Sequence, residues 1–93
     1  MKAIEIRVNG ELKATCCDKD VTKILASVSV EIDNSNNEYE IECFGIKPLS
    51  DSKKEVLRWV GALVNEDDEI SFKFVDSEKS YEPIDRQEID RRG

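Results

Sequence analysis

Between Ile24 and Cys43 the chain alternates apolar and polar side chains with a period of two, on either side of the turn-forming run Asp33-Asn34-Ser35-Asn36-Asn37. Successive residues of a strand point to opposite faces, so this pattern calls for a β-hairpin with one apolar and one wet face. Ile24, Ala26, Val28, Val30 and Ile32 alternate with Ser27, Ser29, Glu31 and Asp33, with Leu25 as the exception. The return strand sets Tyr39, Ile41 and Cys43 against Glu38, Glu40 and Glu42. Composition leans the same way: nine Ile and eight Val stand against five Leu, and β-branched side chains pack well on a pleated surface.

Other segments fill in the expected fold. Ile4, Ile6 and Val8, then Leu12, Ala14 and Cys16, alternate with polar residues across Asn9-Gly10, which signals a first hairpin. A two-residue turn there would place Ile6 opposite Lys13 and mix the faces. A three-residue loop Val8-Asn9-Gly10, with Gly10 left-handed, places Ile6 opposite Leu12 and Ile4 opposite Ala14, and is the expected register. Ser52-Lys53-Lys54-Glu55 fits a helix capping box ahead of Val56, Leu57, Val60, Leu63 and Val64 at helical spacing. That predicts one amphipathic helix, weakened at Gly61 by about 1 kcal/mol relative to alanine and closed by Asn65-Glu66-Asp67-Asp68. Ile70, Phe72 and Phe74 make a last strand. The expectation is an α+β domain over residues 1–81, a five-stranded mainly antiparallel sheet with one helix in the order ββββαβ. Residues 82–93 are expected to form a charged, weakly ordered tail.

Charge and residue usage exclude several classes. With 93 residues, 21 Asp+Glu against 14 Lys+Arg, and no histidine, this is one small acidic domain. A formal charge of −7 opposes nucleic-acid binding, which depends on Lys and Arg displacing counterions. Without histidine, Ser-His-Asp and Cys-His catalysis and His-containing zinc sites cannot be built. Cys16, Cys17 and Cys43 are an odd set without Cys-x-x-Cys spacing and read as reduced. Cys16 and Cys43 read as buried hydrophobes, and Cys17, of opposite parity, as the exposed thiol. Glu66-Asp67-Asp68-Glu69 lacks the alternating ligands and central glycine of an EF-hand loop and reads as a turn. Glycine-rich phosphate-binding patterns are absent. The expectation is therefore a non-enzyme with no metal and no cofactor. No apolar run approaches the roughly 18 residues that span a bilayer, and the charged start Met1-Lys2-Ala3-Ile4-Glu5-Ile6-Arg7 does not fit a signal peptide. A cytoplasmic protein is expected.

The informative constellation is the second hairpin. From Glu31 to Glu42 there are five acidic residues, Glu31, Asp33, Glu38, Glu40 and Glu42, and no basic one. Pairing Ile32 with Tyr39, Val30 with Ile41 and Val28 with Cys43 puts Asp33 opposite Glu38, Glu31 opposite Glu40, and Ser29 opposite Glu42. All five carboxylates then share the exposed face. Like charges opposed across strands cost a few tenths to about 1 kcal/mol per pair, so the face reads as a binding surface for a basic protein. The same run also fits an ordinary solvated face neutralised by Lys13, Lys73 or another lysine. Trp59 falls at the border of the apolar stripe, as rim packing or as an interface anchor.

Val8-Asn9-Gly10-Glu11, Ile24-Leu25-Ala26-Ser27-Val28, and Asp68-Glu69-Ile70-Ser71-Phe72 followed by Glu82-Pro83 resemble the skeleton of a family of small β-rich bacterial proteins of unassigned role. The chain departs from that pattern at Asp67-Asp68-Glu69, where Gly-Asp-Glu is expected. In size, acidity and want of catalytic residues it is similar in character to the immunity proteins of bacterial toxin and contact-dependent inhibition systems. That similarity implies a protein neutralising a basic toxin or nuclease domain, with no residue roles carried over. Two alternatives use the same residues: a phage-type acidic mimic of nucleic acid that inhibits a defence enzyme, and a small accessory subunit of a larger assembly.

Overall fold

The computed structural model describes residues 1–90. They form seven strands and no helix: β1 (Lys2–Val8), β2 (Glu11–Cys16), β3 (Lys23–Ile32), β4 (Asn37–Pro48), β5 (Lys53–Val64), β6 (Ile70–Asp76) and β7 (Asp85–Asp90). Two antiparallel sheets result, ordered β2-β1-β6 and β3-β4-β5-β7. The fold is all-β, which corrects the expected α+β architecture of five strands and a helix.

The segment expected to be helical is β5, and a bulge explains the misreading. Cys43 pairs with Val60 and Phe44 with Arg58, so Trp59 is an extra residue in the ladder. Before it, Leu57 and Trp59 point into the core; after it, Val60, Ala62 and Val64 take the inward parity. Two alternating halves offset by one residue imitate the three-and-four spacing of an amphipathic helix. Ser52 caps no helix, and its amide donates to the Ser50 hydroxyl at 3.4 Å.

The expected tail supplies a strand. β7 pairs with β5 from Arg58↔Asp85 to Lys53↔Asp90, and Ile84 N–H donates to the Arg58 carbonyl at 2.7 Å. Arg86 on β7 lies 2.9 Å from a Glu55 carboxylate oxygen and 3.8 Å from one of Asp18. Ladder bonds to β5 hold this strand to the sheet edge, with the Arg86 ion pairs added to them.

The first hairpin departs from its expected register in the same way. Val8 pairs with Glu11, so the turn has two residues, and Asn9 (φ 53°) and Gly10 (φ 83°) both take the left-handed conformation of a type I′ turn. Face mixing is avoided further along, where the ladder steps from Arg7↔Leu12 to Ile6↔Ala14 and leaves Lys13 as a bulge. Beyond it Ile6 meets Ala14 and Ile4 meets Cys16, apolar against apolar.

The core sits between the sheets. Ile4, Ile6 and Val8 of β1 and Cys16 of β2 close onto Ile41, Cys43, Leu57 and Trp59, and among the described residues no polar or charged residue is buried. Strand β1 packs near β3, and β2 near β4 and β5. On β6, Ile70 packs against this core. Phe72 and Phe74 pair with Ile6 and Ile4 and share their inward parity, yet Phe74 remains 87% exposed.

Candidate functional site

The carboxylates of the second hairpin lie where the β3–β4 ladder puts them. The observed register pairs Val30 with Tyr39, Val28 with Ile41 and Ala26 with Cys43, two residues away from the expected one. A shift of two preserves parity, so the faces are as expected while the opposing partners change. Glu31 now faces Glu38, Ser29 faces Glu40, and Ser27 faces Glu42. Because Ile41 and Cys43 are buried, the alternating Glu38, Glu40 and Glu42 point away from the core, with Glu31 beside them.

Asp33 is the exception. It lies past the end of β3, where its carboxylate accepts the Asn34 N–H at 2.6 Å and its own amide donates to the Asn36 carbonyl at 3.2 Å. Its work is turn formation, so the face consists of Glu31, Glu38, Glu40 and Glu42.

No ion pair between described residues involves any of these four. The neutralising lysines considered from the sequence are elsewhere: Lys13 pairs with Glu11 at 3.3 Å, and Lys73 stands opposite Glu5 on the other sheet. Self-repulsion is visible in the proton affinity of Glu40, which is raised chiefly by a hydrogen bond with Glu42 and by that neighbour's charge. Arg58 lowers it in part.

Arg58 was hidden by the helical reading of β5. It stands opposite Phe44 on this face, and its side chain lies over Gly61, with Nη1 3.3 Å from where a β-carbon would stand. Its Nε is buried without a hydrogen-bond partner. Alternation centred on the bulge was the signal that could have placed it there.

Two further expectations are corrected. Trp59 is no interface anchor: it is 6% exposed, packs against Gly45, and its Nε1–H donates to the Tyr81 carbonyl at 2.8 Å. Cys17 is no exposed thiol, being fully buried with Cys16 and Cys43. Burial pushes the Cys17 thiol up, and a hydrogen bond with Cys43, reinforced by burial, pushes Cys16 far up. All three are shut away from solvent in the folded chain.

In the acidic turn before β6, Asp68 accepts the Asn65 N–H at 2.7 Å and Asn9 Nδ2–H at 2.8 Å. Among the described residues no three His, Cys, Asp or Glu side chains converge to hold a metal ion, and no helix is long and apolar enough to cross a membrane. The carboxylate face offers negative charge and hydrogen-bond acceptors. Comparisons with family models, curated proteins and solved structures return no match.

Proposed function

We propose that this chain is a binding protein of the immunity or inhibitor type. Its acidic face, Glu31, Glu38, Glu40 and Glu42, docks on a basic domain of a toxin or nuclease and bars that domain from its substrate. One observation carries the reading: four carboxylates stand side by side on one sheet face without an internal ion pair. Selection for stability alone would set paired cations among them, since opposed like charges destabilise a ladder; Arg58, the cation on this face, offsets the charge on Glu40 only in part and forms no ion pair with it. A basic partner turns that repulsion into attraction, speeding encounter and favouring the correct orientation.

The test begins with capture of the partner from its native cell and continues with association kinetics. Association with a basic effector domain should slow steeply between low and high ionic strength, because exposed charges are screened over a Debye length of about 8–10 Å near physiological salt. Glu38→Lys with Glu40→Lys should slow association by about tenfold or more with the fold intact by circular dichroism. A rate unaffected by salt and by both substitutions overturns the proposal. Competition by duplex DNA at the bound partner would assign the face to nucleic-acid mimicry.

A further inference from the structure

Among the described residues four strands lie at sheet edges, β2 and β6 in one sheet and β3 and β7 in the other. An exposed edge offers unpaired N–H and C=O groups to any other strand, and proteins commonly blunt it with central charges or bulges. Three of these edges are blunted: β2 by the bulge at Lys13, β6 by Lys73 at its centre, and β7 by Asp85, Arg86, Glu88 and Asp90. The fourth is not. Strand β3 runs ten residues without an irregularity in its ladder, and Ile24 through Val30 carry no charge.

The charges that β3 does carry sit at its ends and differ in sign. Lys23 and Glu31 lie four positions either side of Ser27 and point to the same face. Neither makes an ion pair within the described chain, and Glu31 is set against Glu38 on its paired side. Aligned antiparallel with itself about Ser27, the strand matches its own sequence. Lys23 meets Glu31 of a second copy at both ends, Leu25 meets Ser29, and Ser27 meets Ser27. On the other face Ile24 meets Val30 and Ala26 meets Val28.

We propose that β3 is a self-complementary edge that pairs with β3 of a second copy, making a two-fold symmetric dimer with one continuous eight-stranded sheet. Charge complementarity selects this occupant over an arbitrary strand: both ends of the seam are Lys–Glu pairs, and no charged residue is opposed to an apolar one between them. An isologous contact of this kind closes on itself and does not propagate into a fibre. It accounts for two features that are unfavourable in a single copy. Val28 and Val30, 54% and 46% exposed, gain apolar cross-strand partners, and Glu31 gains a cation to offset Glu38. Because directly opposed residues share a face, the acidic surfaces of both copies lie on the same side of the joined sheet.

Sedimentation equilibrium across a wide concentration range reads this directly. The unaltered chain should show a reversible monomer–dimer equilibrium. Lys23→Glu alone, or Glu31→Lys alone, makes both cross-strand pairs repulsive and should weaken dimerisation by about tenfold. The double variant Lys23→Glu with Glu31→Lys restores opposite charges in reversed order and should recover the dimer, which a merely structural role for either residue would not produce. Circular dichroism and Trp59 fluorescence keep misfolding apart from dissociation. A chain that stays monomeric throughout, single variants that dimerise as well as the parent, or a double variant that does not recover would each overturn the proposal. Because Glu38 and Glu40 carry the test of partner binding, the two proposals fail separately.

Discussion

Gly45 of β4 lies under the ring of Trp59 on β5, so close that a β-carbon on Gly45 would stand 2.6 Å from both Cη2 and Cζ3. The tryptophan is fixed from its other side by the hydrogen bond to Tyr81, so its ring cannot retreat without losing that contact. Gly45→Ala overpacks this site and should cost about 1–3 kcal/mol. Urea titration followed by Trp59 fluorescence measures it, and an unchanged midpoint would refute the fit described here.

Asn9 and the turn before β6 are tied by reciprocal bonds. Asn9 Nδ2–H donates to Asp68 Oδ1 at 2.8 Å, Glu69 N–H donates to Asn9 Oδ1 at 2.9 Å, and Asn9 N–H donates to the Glu69 carbonyl at 2.8 Å. Asn9→Ala removes two of these and sets alanine in a left-handed backbone, which should cost about 1–2 kcal/mol. The bonds from Asn65 and Asn9 hold the Asp68 carboxyl below its ordinary value of 3.8. Its contribution is therefore complete above that value and is lost as pH falls through the lower, folded one. The difference between Asn9→Ala and the parent should shrink below about pH 4 in thermal melts.

Glu40 titrates with the opposite sign. Glu40 is raised above its ordinary value of 4.5 by Glu42, so its stabilising contribution is present below that value and is lost as pH rises through the folded one. At neutral pH the pair is a liability. Glu42→Gln should raise the melting midpoint at pH 7, with the gain fading under more acid conditions. Calorimetry at both pH values would show no such pattern if the two carboxylates were independent.

The thiols give a fourth measurable contrast. With Cys16, Cys17 and Cys43 all buried and the first two shifted up, a water-soluble disulfide reagent should leave the native chain unmodified over minutes. The same reagent should modify all three cysteines promptly in denaturant. Fast reaction of one thiol in the native state would contradict the placement of Cys17.

Alternation read from the sequence located the strands from Ile24 to Ile32 and around Tyr39, Ile41 and Cys43, and with them the shared face of Glu31, Glu38, Glu40 and Glu42. Face is a matter of parity, which survives a two-residue slip; the opposing partners do not, and so Glu31 meets Glu38 where Glu40 was expected. At Trp59 and Lys13 the local pattern misled for one shared reason. A bulge inserts a residue and reverses the alternation, and only a neighbouring strand reveals that it has done so. In β5 this made two half-strands look like a helix.

The amino-acid sequence by itself determined the composition of the molecule's faces: which residues are apolar, which carry charge, and which alternate. Strand β7 could not be read there, because Asp85-Arg86-Gln87-Glu88 has no apolar periodicity and is held by ladder bonds to β5 and by Arg86 between Glu55 and Asp18. The tertiary structure alone decided sheet membership, the burial of Trp59 and Cys17, and the free edge at β3. Those properties depend on what packs opposite a residue, and hydrogen bonds between strands join residues that local sequence does not bring together.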